Sequence, residues 1–233
     1  MTATGSETAA PANGGRCRLE AIEPDPRREG SLRLSFGGRT RVTVSQELLR
    51  AEGWREGDVL DVDALERLSQ AADEEAAFQT ALRMLERRPF ARKDLGRRLA
   101  HRGHPAESVS RALDRAARLG LVNDRTFAQH YVQTRLARGR GPARLIRELG
   151  VLGVDRQVID EALARDFSDP EVARAMAERL ARRRLGQLAG LQRAALRQRV
   201  LAFLARRGYT GEQVRRLVDG LLAERSGGSI SHS

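Results

Sequence analysis

LGRRLAHRGH (Leu95–His104) returns twice later in the chain, as LIRELGVLGV (Leu145–Val154) and as VLAFLARRGY (Val200–Tyr209). Each copy reads as a branched aliphatic residue, three residues, Leu, three residues, Gly, then a bulkier residue. The glycines Gly103, Gly153 and Gly208 stand 50 and 55 residues apart. Self-similarity at such an interval is the mark of a tandem repeat. Residues at i and i+4 share a helix face, so Leu95 with Leu99, and Leu145 with Leu149, predict one buried stripe per copy. A glycine four residues on suits a helix stop in the left-handed region, with the next residue folding back on the last turn.

Working outward, each phrase is followed by a second apolar stripe: Val109, Leu113 and Ala116; then Val158, Ile159, Ala162 and Leu163; then Val214, Leu217, Val218 and Leu221. Each is preceded by another: Phe78, Leu82 and Leu85; then Phe127, Tyr131 and Leu136; then Val172, Met176 and Leu180. The expected fold is mainly α, an elongated tandem array of three three-helix repeats. The repeats are placed at 73–122, 123–167 and 168–225. The third is less regular, with a longer stretch between Leu185 and Leu196.

Residues 16–68 follow a different pattern. Leu32, Leu34 and Phe36 alternate, Gly37-Gly38 intervene, and Val42 and Val44 alternate again, which predicts a β-hairpin. Cys17–Ile22 supplies a candidate third strand. Ser45 is a candidate cap for a short helix ending at Gly53. Asp63 and Glu66 stand at capping-box spacing before a further helix. This small β-rich N-terminal cap is expected to join the array through a linker near 69–75, with Trp54 packing it. Residues 1–15 and 226–233 read as disordered tails.

Charge is unevenly placed. Residues 1–75 hold 10 arginines and 15 acids, whereas residues 76–225 hold 32 Lys+Arg and 16 acids. A net positive repeat region favours an anionic partner, either nucleic acid or an acidic protein surface. The single cysteine, Cys17, cannot form an internal disulfide, which fits a reducing cytoplasm. No charged-then-apolar leader and no run of 18 apolar residues occurs, so neither a signal peptide nor a membrane span is expected. His101, His104 and His130 lack the companions of a zinc site. No Walker-type phosphate loop occurs, and Ser, His and Asp form no recognisable triad. The expectation is no enzyme, no cofactor and no metal.

Spread over about 150 positions, RRPFARKDLGRRLAHRG (87–103), LGLVNDRTFAQHYV (119–132), GRGPARLIRELGVLGV (139–154) and LAFLARRGYTGEQV (201–214) together resemble the RecX family of recombination regulators. Ala91 stands where the family would place a helix-opening serine, and Asn123 where an acid is common. The resemblance implies a non-enzymatic, monomeric, cytoplasmic partner of RecA and of the RecA–single-stranded DNA filament, with weak direct DNA binding. It implies that the protein lies in the filament groove and blocks extension. Disassembly would be promoted, while strand exchange, ATP hydrolysis and damage-response induction would be dampened.

The candidate partner- and DNA-binding surface comprises Arg92, Lys93, Arg97, Arg98, Arg102, Arg140, Arg144, Arg147, Arg182, Arg183, Arg184, Arg199, Arg206 and Arg207. Aligned on the repeat glycine, no basic position is common to all three copies. A sequence-independent DNA-binding repeat protein, or a protein-interaction scaffold without nucleic-acid contact, are the alternatives. If the phrase builds the core, Leu99→Ala lowers thermal stability by ~2–5 kcal/mol; an unchanged melting temperature would remove that side chain from the core.

Overall fold

The computed structural model describes residues 16–26, 28–37, 40–188 and 190–227. The reading of 1–15 as a tail lies outside these residues, as do 228–233. Among the described residues, four strands precede nine of the ten helices. No helix is long and apolar enough to cross a membrane.

The cap is built as its alternation dictates. β1 (Cys17–Pro24), β2 (Ser31–Phe36) and β3 (Thr40–Ser45) pair antiparallel, and the two-residue β4 (Val59–Leu60) pairs with β1, giving the order β3-β2-β1-β4. Leu34 faces Val42 across the hairpin, and both point into a core with Leu19, Phe36 and Val44. α1 (Gln46–Glu52) starts at Ser45, whose side chain accepts from the Leu48 N–H, and stops at Gly53 with φ 69°.

The expected linker at 69–75 is absent. α2 runs unbroken from Val62 to Leu85, and its cap is Asp61 rather than Asp63, the Asp61 carboxylate accepting from the Ala64 N–H. The polar run Gln70–Glu75 resembles a loop in composition, but Ala, Gln and Glu are good helix formers. Two cores hold the helix from its two ends. Ala64 and Leu68 complete the core under the sheet. Ala77, Phe78 and Ala81 join the core of the first repeat, with Leu95 and Leu99 of α3 (Arg92–Ala100) and Val109, Ala112 and Leu113 of α4 (Ala106–Arg118).

Between those cores sits Glu75, 1% exposed. Its carboxylate accepts from the Ser31 hydroxyl of β2 (2.6 Å), from Gln79 (2.8 Å) and from the Arg115 guanidinium of α4 (2.8 Å). Arg115 also lies 4.1 Å over the Phe78 ring. One carboxylate thus ties sheet, α2 and α4 together, and both of its oxygens have a donor, as burial of a charge demands.

The second and third repeats follow the expected order: α5 (Asp124–Leu136), α6 (Pro142–Leu152) and α7 (Arg156–Asp166); then α8 (Pro170–Gly186), α9 (Arg193–Arg207) and α10 (Glu212–Gly227). α10 therefore carries helix two residues into the segment read as a tail. Ala128, Val132, Leu145, Leu149 and Ile159 fill one core; Ala177, Ala181, Val200, Leu204 and Val218 fill the other. The chain forms two compact units. One contains the sheet, α2 and the described residues to Phe90, with Asp94–Val122; the other contains Ala91–Lys93 and the described residues from Asn123 on.

Both departures from the family pattern have a local answer within the second unit. Ala91 is fully buried, and the Asp124 carboxylate ties down the head of α3 by accepting from the Arg92 N–H (2.7 Å). Asn123 caps α5, its side-chain oxygen accepting from the Arg125 and Thr126 N–H groups (3.0 and 3.2 Å).

Glu75 yields a pH signature. Burial pushes its carboxyl up, but the hydrogen bonds from Ser31, Gln79 and Arg115 outweigh that and hold it below the ordinary 4.5. A depressed folded value stabilises above the unfolded value and loses its effect as pH falls through the folded one. Acid unfolding of the wild-type chain should show this loss below about pH 4.5, and Glu75→Gln should flatten it. Glu75→Ala, which strips Arg115 of its partner, should cost roughly 3 kcal/mol in denaturant melts.

Candidate functional site

Repeat ends place the functional side chains. At each repeat glycine the backbone makes the same pair of bonds. The Gly208 N–H donates to the Ala205 carbonyl (3.0 Å) and the Tyr209 N–H to the Leu204 carbonyl (3.0 Å). Gly153 and Val154 do likewise to Gly150 and Leu149, and Gly103 and His104 to Ala100 and Leu99. This is the left-handed Schellman ending, with φ of 88°, 86° and 94° at the three glycines.

Gly208 has a second duty. A Cβ there would lie 2.5 Å from the Arg144 backbone nitrogen, and it would also strike the Arg144 Cβ. The head of α6 therefore abuts the tail of α9. The Gly141 N–H donates to the Arg207 carbonyl (2.7 Å) and the Ala143 N–H to the Gly208 carbonyl (3.2 Å). Unpaired N–H groups of one helix start meet unpaired carbonyls of another helix end, and the two dipoles attract. Gly153 likewise leaves no room for a side chain, its Cβ position lying 2.6 Å from Lys93 Cβ at the head of α3.

Arginines flank the α6–α9 junction. Arg144 donates to the Arg206 carbonyl (2.8 Å), and Arg207 donates back to the Arg138 carbonyl (3.1 Å). Arg144 also donates to Glu148 (2.8 Å), which accepts further from Arg140 and from the Tyr131 hydroxyl (3.0 Å). Burial pushes the Glu148 carboxyl up, yet these three donors hold it below its usual value; burial and Glu148 together push the Tyr131 phenol up.

Two adjoining depressions open beside the junction. One, of about 530 Å³, is bordered by Arg138, Arg179, Arg183, Arg184, Gln187, Phe203 and Arg207. The other, of about 410 Å³, is bordered by Arg138, Arg140, Arg144, Phe203, Arg206 and Arg207. They share Arg138, Phe203 and Arg207, so they form one groove. Phe203 is half-buried, with the Arg207 and Arg184 guanidinium carbons 4.9 and 5.6 Å from its ring centre. Arg184 Nε is buried without a hydrogen-bond partner, while its Nη1 donates to Gln187 (3.1 Å). Glu148 neutralises Arg140 and Arg144. Arg138, Arg179, Arg183, Arg184, Arg206 and Arg207 have no carboxylate partner among the described residues. Six like charges along one groove repel each other, and an anion relieves that repulsion. Guanidinium forks suit phosphate and carboxylate equally.

Of the candidate residues, Arg140, Arg144, Arg183, Arg184, Arg206 and Arg207 meet in this groove. The run Arg182–Arg184 divides: Arg182 turns to Glu178 (2.8 Å) and Glu224 (3.1 Å), away from its two neighbours' role. Arg147 and Arg199 are exposed on α6 and α9 but border neither depression. Arg92 and Lys93 head α3. In the other unit, Arg97 and Arg98 pair with Asp94 (3.6 and 2.9 Å), and Arg102 donates to the Arg98 carbonyl (3.2 Å). Two groove residues, Arg138 and Arg179, stand outside the arginine runs that the sequence singles out. Arg179 and Arg183 stand at i and i+4 and so share a helix face, a signal that a run of adjacent arginines obscures.

Comparison with known proteins adds the following. Family models for the first, second and third three-helix domains of RecX match residues 77–115, 123–163 and 173–218. The regulatory protein RecX of Halorhodospira halophila is 43% identical over 148 residues, covering 62% of this chain and 87% of that protein. Its counterpart in Chromohalobacter salexigens is 40% identical over 135 residues, 58% of this chain and 86% of the other. That of Mycobacterium tuberculosis is 40% identical over 146 residues, 60% and 83%. A crystal structure of a regulatory protein RecX aligns with a TM-score of 0.73 at 22% identity, over 88% of this chain and 99% of that one. The RecX crystal structure from Lactobacillus salivarius gives 0.57 at 19%, over 65% and 97%. At these identities the two structures speak for the fold alone.

The α6–α9 junction predicts that Gly208→Ala destabilises the second unit by at least ~1–2 kcal/mol, the ordinary cost of a left-handed alanine, before the collision with Arg144 is added. Thermal melts would check it; a neutral variant would show that the junction yields.

Proposed function

We propose a function from one premise: the chain belongs to the RecX family. Its role is regulatory, and its target is RecA. The protein binds RecA and the RecA–single-stranded DNA filament in the cytoplasm, as a monomer without a cofactor. Binding inhibits filament growth, ATP hydrolysis, strand exchange and induction of the damage response. The observation that carries this reading is the groove of six unneutralised arginines beside the α6–α9 junction. An anionic filament supplies the charge that the groove lacks. The repeats at 123–167 and 168–225, which share the second unit, present the groove to the filament, while the β-rich segment (16–68) and the repeat at 73–122 offer further surface for neighbouring filament subunits. Several contacts through one chain raise affinity by effective concentration.

No hydrolytic or redox step is needed. The protein changes the RecA cycle by occupying surface, so inhibition should saturate with bound protein and show no turnover. Affinity should fall with salt, each phosphate contact on a single strand adding ~0.7 to the slope of log K against log salt.

Binding should therefore be measured to naked single-stranded DNA, free RecA and the RecA filament, at two salt concentrations. Strong preference for the filament supports the regulator. Equal affinity for bare DNA would replace it with a sequence-independent DNA-binding protein. Salt-insensitive binding to RecA alone would replace it with a protein scaffold. The paired substitution Arg183→Glu and Arg206→Glu alters two exposed groove residues whose side chains have no ion-pair partner among the described residues. It should weaken filament binding and relieve inhibition of RecA ATP hydrolysis at least tenfold, with the fold intact by circular dichroism. Full inhibition by the double variant would remove the groove from the interface.

A further inference from the structure

We infer that the apolar trough between α8 and α10 is a protein-docking site that takes one amphipathic helix, about three turns long, from the protein component of the filament. The inference rests on the reading of the protein as a filament regulator, and names a second surface, apart from the arginine groove, and the element that fits it.

Three observations carry it. The first is the shape and lining of the trough. Two depressions, of about 470 and 320 Å³, share Pro170, Arg174, Gln213 and Leu217 and so run together along the seam of α8 and α10. Ile146, Ala173, Val214 and Leu217 line it with part of their apolar surface open. From Gln213 to Glu224 the α10 wall rises roughly 16 Å, the length of about three helical turns. The second is the charge on its walls. Glu171, Arg174, Glu178 and Arg182 alternate along α8. Arg174 pairs with Glu171 (3.3 Å), and Arg182 bridges Glu178 (2.8 Å) and Glu224 of α10 (3.1 Å). Arg216 pairs with Glu212. Alternating charge beside an apolar seam is the pattern of a helix–helix contact, and a ligand helix with acid and base alternating on its flanks would complement both walls. The third is Gly220. It lies in the middle of α10 and lines the trough, yet a Cβ there would meet nothing within 4 Å. Glycine weakens a helix interior relative to alanine, and no left-handed turn calls for it here. Its bareness leaves room for another backbone to come close.

The occupant follows from this chemistry. The cations on these walls already have carboxylate partners, so a phosphate-bearing strand gains little here. A second copy would set trough against trough and leave both unfilled, because a two-fold contact joins a surface to itself. A single helix supplies the ridge that a trough between two helices accepts. The trough reaches Gly208 and the arginine groove reaches Arg207, so the two open from the same α6–α9 junction. A nucleoprotein partner held by its phosphates in one therefore brings its protein within reach of the other.

The test compares the full wild-type chain with Gly220→Gln and Ala173→Gln, which crowd the trough from its two walls with an uncharged side chain. Glutamine is a good helix former, so Gly220→Gln should melt above wild type and both variants should keep the fold by circular dichroism. Each should weaken binding to the RecA filament about tenfold, as loss of one interface anchor does. The salt slope and the affinity for naked single-stranded DNA should stay at their wild-type values. Filament binding by both variants equal to wild type would overturn the inference and leave the regulator standing. An equal loss of binding to naked DNA, or a flatter salt slope, would overturn it too, by tracing the effect to the arginines. A wild-type dimer that Gly220→Gln dissociates would give the trough to a second copy instead. Absence of any binding of the wild-type chain to RecA or its filament sinks the regulator, and the docked helix with it.

Discussion

A missing Cβ governs how the repeats meet. Gly208 ends α9 in a conformation that L side chains rarely adopt, and the space where its side chain would stand is filled by the head of α6. The two requirements are separate in origin. The first is local and belongs to helix termination; the second is tertiary and belongs to the docking of one repeat on another. Gly153 carries the same double constraint against Lys93. The Leu four residues before each glycine is likewise double: Leu149 and Leu204 are fully buried, and their carbonyls accept the closing bond of the cap. Helix end, core and repeat junction are therefore specified by the same handful of positions.

The electrostatics follow from that junction. Because the head of α6 and the tail of α9 touch, the arginines near both ends are crowded into one place. Some of the crowding is resolved internally. Carbonyls at a helix end attract guanidiniums, and Arg144 and Arg207 each take one from the opposing segment. Glu148 takes up two more positive charges. What is left uncompensated lines the groove beside the junction. The interaction that joins the repeats thus also concentrates the charge that a partner must answer.

The helical repeats were legible because a period of four in Leu, punctuated by Gly, has few other meanings. The hairpin was legible because alternation around Gly37-Gly38 is a strong local code. Three features were not legible. The run Gln70–Glu75 reads as polar, yet its Glu75 carries a buried network, and only the fold reveals that Ser31 and Arg115, 44 and 40 residues away, are its partners. Asp61 and Asp63 are both good cap residues, and β4 at Val59–Leu60 decides between them by ending just before Asp61. Arg138 and Arg179 were hidden because charge runs draw the eye to adjacent residues, whereas a groove gathers residues from a turn and from one helix face. Arg182 shows the converse: adjacency in sequence sends it to Glu178 and Glu224 instead of into the groove.

The head of α3 has a practical corollary. Of the 42 basic residues in the chain, Lys93 is the sole lysine; it is exposed, and its Cβ lies against the Gly153 turn. The molecule therefore offers acylating reagents a single side-chain amine. A dye attached through that amine would sit where α3 begins and would report local loosening of the Gly153 contact, leaving every guanidinium unmodified.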